Sequence, residues 1–268
     1  MAVKLIALDM DDTLLNDDRQ ISSRNCEAIR KAAEQGVLVT IATGRMYCSA
    51  RPYAEMLGID APLVVYNGGL VKSWKSGETL FHQPVPVELA QEVLGFFREQ
   101  NWYVQTYVDD VLYVETLSEK AQAYADYAGV TAVPVGERLF TCDQAPTKIL
   151  GMADSDFVQE MGAAVAKKFG SRLCTASSKA VFLEMVHPAV NKARALSFVA
   201  EQYGIAQEEI MAIGDSGNDI EMLRYAGLGV AMGNARPAAK AAAQVVTADN
   251  NGDGVALAIE KYVLGIGA

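Results

Sequence analysis

Apolar positions along this chain switch between a strand period and a helix period, and the switches mark out its elements. Val3 to Leu8 reads as a buried strand, and Ser22 to Gln35 as an amphipathic helix with Ser22 as cap and Gly36 as stop. The alternation repeats at once: Val37 to Ala42 is a second strand, Met46 to Leu57 a second helix ending at Gly58, and Pro62 to Tyr66 a third strand. A βαβαβ run of this kind requires a parallel sheet covered on both faces, with its reaction site at the carboxyl ends of the strands.

The pattern then changes. Leu70 to Trp74 and Glu78 to Phe81 flank a Lys-Ser-Gly turn as a hairpin. From Pro84 to His187 the expected order is a helix over Val87 to Gln100, two strands around Asp109-Asp110, a helix over Ser118 to Ala128, strands, a helix over Asp154 to Lys168 and a final strand pair. Short connections between strands predict an antiparallel sheet with its helices on one face, an α+β insert. After Pro188 the βα alternation resumes: a helix from about Asn191 to Tyr203 stopped by Gly204, strand Ile210 to Ile213, a helix after Asn218, strand Leu228 to Met232 and a closing helix to Leu264. The reading is therefore an α/β core over residues 1–83 and 188–268, interrupted by an α+β domain over 84–187.

Composition narrows the class. Hydrophobic residues make up 51% and charged residues 21%, with no apolar run long enough to span a bilayer and no secretory signal at Met1 to Leu8, so the expected location is the cytoplasm. A formal charge of −10 repels nucleic acid and anionic membranes, yet leaves room for a small phosphorylated ligand held by a metal and one lysine inside a cleft. Cys26, Cys48, Cys142 and Cys174 form no C-x-x-C pair and read as reduced, mostly buried thiols. His82 and His187, the only histidines, read as structural.

The chemistry gathers at strand ends. Asp9 and Asp11 follow strand one, where alternate residues can enter the same cleft, and two carboxylates so close repel unless a cation joins them. Mg²⁺ suits such hard oxygen ligands; the alternative is an exposed acidic turn. Strand two runs into Thr43-Gly44-Arg45, which offers a hydroxyl and a backbone amide at a helix N-terminus, either for a phosphate oxygen or for ordinary capping. Lys192 opens the helix after the insert, as a phosphate-neutralising charge or a surface lysine. Gly214-Asp215-Ser216-Gly217-Asn218-Asp219 ends the next core strand as an acidic loop placed for a second metal anchor.

At these residues the chain resembles the haloacid dehalogenase (HAD) superfamily, in its Cof-type phosphatases of subclass IIB. That signature is D-x-D-x-T after strand one, Ser or Thr after strand two, Lys where the cap returns and G-D-x-x-N-D after strand four. Asp9 to Thr13, Thr43, Lys192 and Gly214 to Asp219 meet it in order, so the resemblance covers essentially the whole chain. It implies a Rossmann-like parallel-sheet HAD core with an inserted α+β cap of type C2B. It also implies a Mg²⁺-dependent phosphomonoesterase acting on a small phosphorylated metabolite, with a sugar phosphate the leading expectation. Asp9 would attack phosphorus to give an aspartyl-phosphate, and Asp11 would act as acid and then base. Asp9, the Asp11 carbonyl and Asp215 would hold Mg²⁺, with Asn218 and Asp219 in or behind that shell, while Thr43, Gly44 and Lys192 hold the phosphoryl group. Asp12 and Ala193 stand where Gly is common. Asn67, in Tyr66-Asn67-Gly68-Gly69, would touch substrate or make the turn, and Arg45 would meet the substrate's polar end or pair with an acid. Relatives of this cap type also suggest a sugar phosphomutase, and a non-catalytic phosphometabolite-binding regulator is the reading from another class.

Two further patterns are declined. Asp249-Asn250-Asn251-Gly252-Asp253-Gly254 with Glu260 spells an EF-hand, but the preceding Val245 to Thr247 reads as a strand, Leu257 fills a ligand position, and Asp253 is better read as a helix cap. Gly214 to Asn218 lacks the final Gly of a serine-hydrolase elbow.

Overall fold

The computed structural model describes residues 2–177 and 179–266, and the chain forms two compact units. The first comprises Met1–Gly44, Ala50–Leu80 and Asn191–Ala268; the second comprises Arg45–Ser49 and Phe81–Val190.

In chain order the elements begin with β1 (Leu5–Leu8), α1 (Ser23–Glu34), β2 (Leu38–Ile41), α2 (Tyr47–Leu57), β3 (Leu63–Val65) and β4 (Leu70–Lys72). Next come β5 (Thr79–His82), α3 (Val87–Glu99), β6 (Val104–Val108), β7 (Val111–Val114), α4 (Glu119–Ala128), β8 (Ala132–Pro134), β9 (Lys148–Met152), α5 (Ser155–Phe169), β10 (Cys174–Ala176) and β11 (Phe182–Val186). The chain closes with α6 (Lys192–Gln202), β12 (Ile210–Gly214), α7 (Ile220–Tyr225), β13 (Leu228–Ala231), α8 (Pro237–Ala242), β14 (Val245–Val246) and α9 (Gly254–Tyr262).

The first unit is built on a parallel sheet of order β14-β13-β12-β1-β2. All four residues of β1 are buried, as a central strand covered on both faces demands. The apolar stripes of the flanking helices supply the cover: α1 packs with α9, and α6 with α7. Ser22 does cap α1, its side chain accepting from the Asn25 amide, because a serine hydroxyl satisfies an amide the helix leaves unpaired. β3 meets the parallel sheet through a bridge from Val64 to Ala42, and pairs antiparallel with β4 in a separate order β3-β4-β5. The chain leaves β1 toward β2 and returns to β12 on β1's other side, which makes the β1/β12 boundary a topological switch point.

The second unit is a six-stranded sheet of order β10-β11-β9-β6-β7-β8. Its pairings are antiparallel except β7 with β8, which run parallel because α4 carries the chain across between them. The expected wholly antiparallel insert is corrected at that pair. α3 and α5 bury Leu89, Val93, Phe97, Val158 and Val165 against Val104 and Ile149 on one face. Helices on one face is also corrected, because Tyr124 of α4 sets its ring against Tyr107 and Phe182, which alternation directs to the other face. Arg45–Ser49 cluster with this unit, where the Asp110 carboxylate accepts from the amides of Tyr47 and Cys48 at 2.9 and 2.7 Å.

Both histidines are hydrogen-bonded: His82 Nε2 meets Thr147 Oγ1, 65 residues on, and His187 Nδ1 accepts from the Ala189 amide. The thiols are less buried than composition suggests, with Cys48 exposed and the other three intermediate. No helix among the described residues is long and apolar enough to cross a membrane.

Candidate active site

Parallel register brings three loops to one edge of the first unit. β1 lies level with its neighbours, Leu8 opposite Ile213 on one side and Ile41 on the other, so Asp9, Thr43 and Asp215 emerge together past the strand ends. The Asp9 amide donates to Ile213 O at 3.0 Å and extends that register by one residue. Met10–Leu14 then make a single wide turn, closed by the Leu15 amide on Met10 O at 2.9 Å. Asp12 takes φ +61 in that turn, a left-handed backbone that Gly occupies without steric cost and Asp tolerates, which accounts for the residue at this departure from the family pattern.

Lys192 is fully buried, which removes the surface-lysine reading. Asn191 caps α6 by accepting from the Arg194 amide, and the next residue sends its ammonium inward. Lys192 Nζ donates to Asp9 Oδ1 and Asp219 Oδ1, each at 2.6 Å. Burial opposes the lysine's charge, but the two carboxylates outweigh it and hold its pKa above the usual value.

The loop after β12 is shaped around Asp219. Its Oδ2 accepts from the amides of Asp215 and Ser216 at 3.0 and 2.9 Å. Gly214 is required there, since a Cβ would lie 2.6 Å from Asp219 Cγ. Thr13 Oγ1 donates to Asp215 Oδ1 at 3.0 Å, linking the loops after β1 and β12. Asn218 turns its carbonyl to Ser216 Oγ and its amide nitrogen to Asn67 Oδ1 at 2.9 Å.

Asp9, Asp215 and Asp219 each place a carboxylate oxygen within 4.8 Å of the others. Three carboxylates against the single Lys192 ammonium leave an excess of two negative charges when all are ionised. The strain appears in the acids. Burial, followed by the charge of Asp219, holds the Asp9 pKa well above its ordinary value despite Lys192, and the same two causes push Asp215 up to about 7. Hard oxygen donors around an excess of two charges fit a divalent cation. Asp219 has both oxygens committed to Lys192 and to backbone amides, so Asp9 and Asp215 are the better placed ligands and Asp219 stands behind them.

The other expected residues fall as follows. Asp11 is half-buried in the turn after Asp9, and its carboxylate is outside the three-membered cluster. Thr43 is buried, but α2 starts only at Tyr47, so Thr43 and Gly44 belong to a loop ahead of the helix and the capping alternative fails. Thr43 bonds through its backbone to β3 and the turn after it, its amide on Val64 O and its carbonyl receiving the Asn67 amide. Asn67 takes φ +59 and makes the turn, and its side chain accepts from Asn218. Gly68 beside it cannot carry a Cβ, which would lie 2.4 Å from Asn191 O. Arg45 is buried and groups with the second unit.

Sequence reasoning gave no role to Thr13, although it stands in the quoted D-x-D-x-T, or to Ser216. In the segment that spells an EF-hand, two of the side chains are engaged elsewhere. Glu260 is held by Arg24 through two bonds at 3.0 and 2.7 Å, and Asn250 is turned onto the Leu15 carbonyl. The expected cap is corrected: Asp253 occupies the N-cap position of α9 in a left-handed conformation, with no capping bond from its side chain.

Fold and site together have the form of an α/β enzyme, with the acidic cluster at the switch point of a parallel sheet. The model of the haloacid dehalogenase-like hydrolases matches residues 6–259, so the chain belongs to that family and is a phosphatase of its Cof type. Among its relatives is the 5-amino-6-(5-phospho-D-ribitylamino)uracil phosphatase YcsE of Bacillus subtilis (strain 168). The two are 34% identical over 264 residues, which cover 98% of this chain and 96% of YcsE. The pyridoxal phosphate phosphatase YbhA of Escherichia coli (strain K12) is 30% identical over 98% of this chain and all of its own. A crystal structure of a haloacid dehalogenase-like hydrolase from Bacteroides thetaiotaomicron superposes with a TM-score of 0.87 at 32% identity, covering 97% of this chain and 99% of that one.

Proposed function

We propose that the protein is a Mg²⁺-dependent phosphomonoesterase of a small phosphorylated metabolite, with sugar phosphates first among the candidates. The observation that carries this is the buried Lys192 ammonium, shared by Asp9 and Asp219 beside Asp215. A mere binding groove for phosphate has no use for a carboxylate held against its cation, whereas a nucleophile that must stay ionised in a buried site does. Asp9 attacks phosphorus in line, the bond to the leaving oxygen breaks, and Asp11 delivers a proton to that oxygen. Asp11 then removes a proton from water, which attacks the aspartyl-phosphate and returns Asp9 and inorganic phosphate. Lys192 counters negative charge at Asp9 and on the transferring group, while the Thr43 hydroxyl and Gly44 amide orient its oxygens. Asp9, Asp215 and the Asp11 carbonyl would hold Mg²⁺, which supplies further charge neutralisation when bound.

The phosphatase names of YcsE and YbhA favour hydrolysis over mutase chemistry, and they extend the candidates to a ribityl phosphate and pyridoxal phosphate. The test is phosphate release from a panel of sugar phosphates, nucleotides, flavin mononucleotide and pyridoxal phosphate, with Mg²⁺ or EDTA. Release should require Mg²⁺ and vanish in Asp9→Asn. Full activity in that variant would reject the nucleophile, and transfer of the phosphoryl group to a second sugar hydroxyl instead of water would favour a mutase.

A further inference from the structure

The segment that imitates a calcium loop carries bonds that the chemistry above does not use. It lies against the turn that follows Asp9, and two asparagines join them. Asn234 Nδ2 donates to the Asp12 carbonyl at 2.7 Å, and Asn234 Oδ1 accepts from the Asn250 amide at 3.1 Å. The Asn250 side chain, 5% exposed, donates to the Leu15 carbonyl at 3.2 Å and to Asp17 Oδ1 at 3.1 Å. The Asp17 amide in turn donates to Asn251 Oδ1 at 3.2 Å. The wide turn Met10–Leu14 is thus held inside it at Asp12 and just beyond its end at Leu15.

We propose that Asn234 and Asn250 are positioning residues for the loop that carries Asp9 and Asp11, acting through the carbonyls of Asp12 and Leu15. The proposal rests on the reading of Asp9 as nucleophile. Its physical content lies in Asp12, whose φ of +61 is a backbone that a residue with a Cβ leaves readily unless something holds it. Glycine takes that angle without steric cost, whereas Asp12 keeps it against a modest one that the clamp offsets. The second hold, at Leu15, keeps the turn from twisting about the first. The supporting segment is itself rigid: Gly233 donates to Ala248 O, Gly252 and Gly254 both donate to Asp249 O, and Thr247 Oγ1 donates to Gly254 O. A turn that drifts by about an ångström would misalign Asp9 and Asp11 with little effect on substrate affinity, and displacements of that size cost around a hundredfold in rate.

The test uses isosteric changes that keep volume and replace the donor with a carboxylate oxygen, which also adds one negative charge. Asn234→Asp keeps the acceptor for the Asn250 amide but turns an oxygen toward the Asp12 carbonyl, and Asn250→Asp does the same toward Leu15 and Asp17. With a substrate the wild type hydrolyses under Mg²⁺, each change should lower kcat about ten- to a hundredfold with KM within about threefold. Asn234 lies at the surface, so its variant keeps its fold, and the melting temperature of both is measured beside the kinetics. Adding Asp12→Gly to Asn234→Asp should recover most of the lost kcat, since glycine takes the left-handed angle without steric cost. A role in packing alone predicts no such recovery, and Asp12→Ala in place of Asp12→Gly, which removes the same charge but keeps a Cβ, should recover less. Wild-type kcat in both single variants, while Asp9→Asn is dead, overturns the clamp and leaves the nucleophile reading standing. Failure of Asp12→Gly to recover any activity also overturns it, and an active Asp9→Asn overturns both.

Discussion

Replacing Lys192 with methionine tests whether the carboxylate cluster is held in its folded geometry by one ammonium. Methionine keeps most of the buried volume and removes the charge, leaving Asp9 and Asp219 facing each other without their shared donor. Breaking a buried ion pair by deleting one partner costs about 3–5 kcal/mol, because a desolvated charge is left uncompensated. At roughly 2–4 °C per kcal/mol for a chain of this size, the melting temperature should fall by on the order of 10 °C. The loss should depend on pH in a definite sense. Asp9 already has a pKa raised by burial and by Asp219, and without Lys192 it rises further, so protonation relieves the variant at low pH. Urea unfolding in EDTA, with wild type and Lys192→Met compared at pH 7.5 and pH 5, reads this directly. The gap in midpoint should be wide at pH 7.5 and narrower at pH 5. A variant as stable as wild type at pH 7.5, or a gap that widens on acidification, would refute the charge argument.

Other consequences follow from the same geometry. For Asp9 and Asp215 the folded-state pKa lies above the unfolded one, so their contribution is fully present below about pH 4. The Asp215 part is lost as pH rises toward about 7; urea midpoints in EDTA should fall across that window, and Mg²⁺ or Asp215→Asn should flatten the profile. Gly214→Ala places a methyl 2.6 Å from Asp219 Cγ, whose carboxylate is pinned on both oxygens; a cost of about 1–3 kcal/mol in thermal unfolding is expected, together with a fall in phosphate release. Asp9→Asn and Asp11→Asn should fail differently in rapid-quench kinetics, the first forming no phosphoenzyme and the second slow in leaving-group departure or in hydrolysis of the intermediate. Glu260→Gln should cost no more than about 1 kcal/mol, because its pair with Arg24 is a surface one, and calorimetry should find no stoichiometric Ca²⁺ binding to lose.

Much of the fold was legible because the elements are local. A short apolar run bounded by polar loops reads as a covered strand, and Leu5–Leu8 and Ile210–Gly214 appear where the pattern put them, while Ser22 announces α1 through a capping bond made within four residues. The failures involve partners distant in sequence or backbone angles that letters do not encode. The parallel pairing of β8 with β7 depends on where α4 carries the chain, the start of α2 at Tyr47 on how loop 43–46 runs, and the idle side chain of Asp253 on its left-handed backbone.

The site divides along the same line. Asp9, Asp11, Thr43, Lys192 and Asp215 could be named as candidates from the sequence, since each sits at the end of a strand or the start of a helix that its own neighbours specify. Their sharing of one edge of a parallel sheet followed from the βα alternation. What only tertiary structure decided is who holds whom. Lys192 lies 183 residues from Asp9 and 27 from Asp219, yet donates to both, and that contact turns a lysine of ambiguous placement into a fully buried charge. Asp219 has its oxygens taken by Lys192 and by backbone amides that no motif displays, and Asn250 bonds to the Leu15 carbonyl, 235 residues away. Local pattern determines which groups are present at the mouth of the sheet, because capping, periodicity and strand ends are short-range. Burial and hydrogen-bond partnership depend on the whole packed chain, and those settle the charge each group carries.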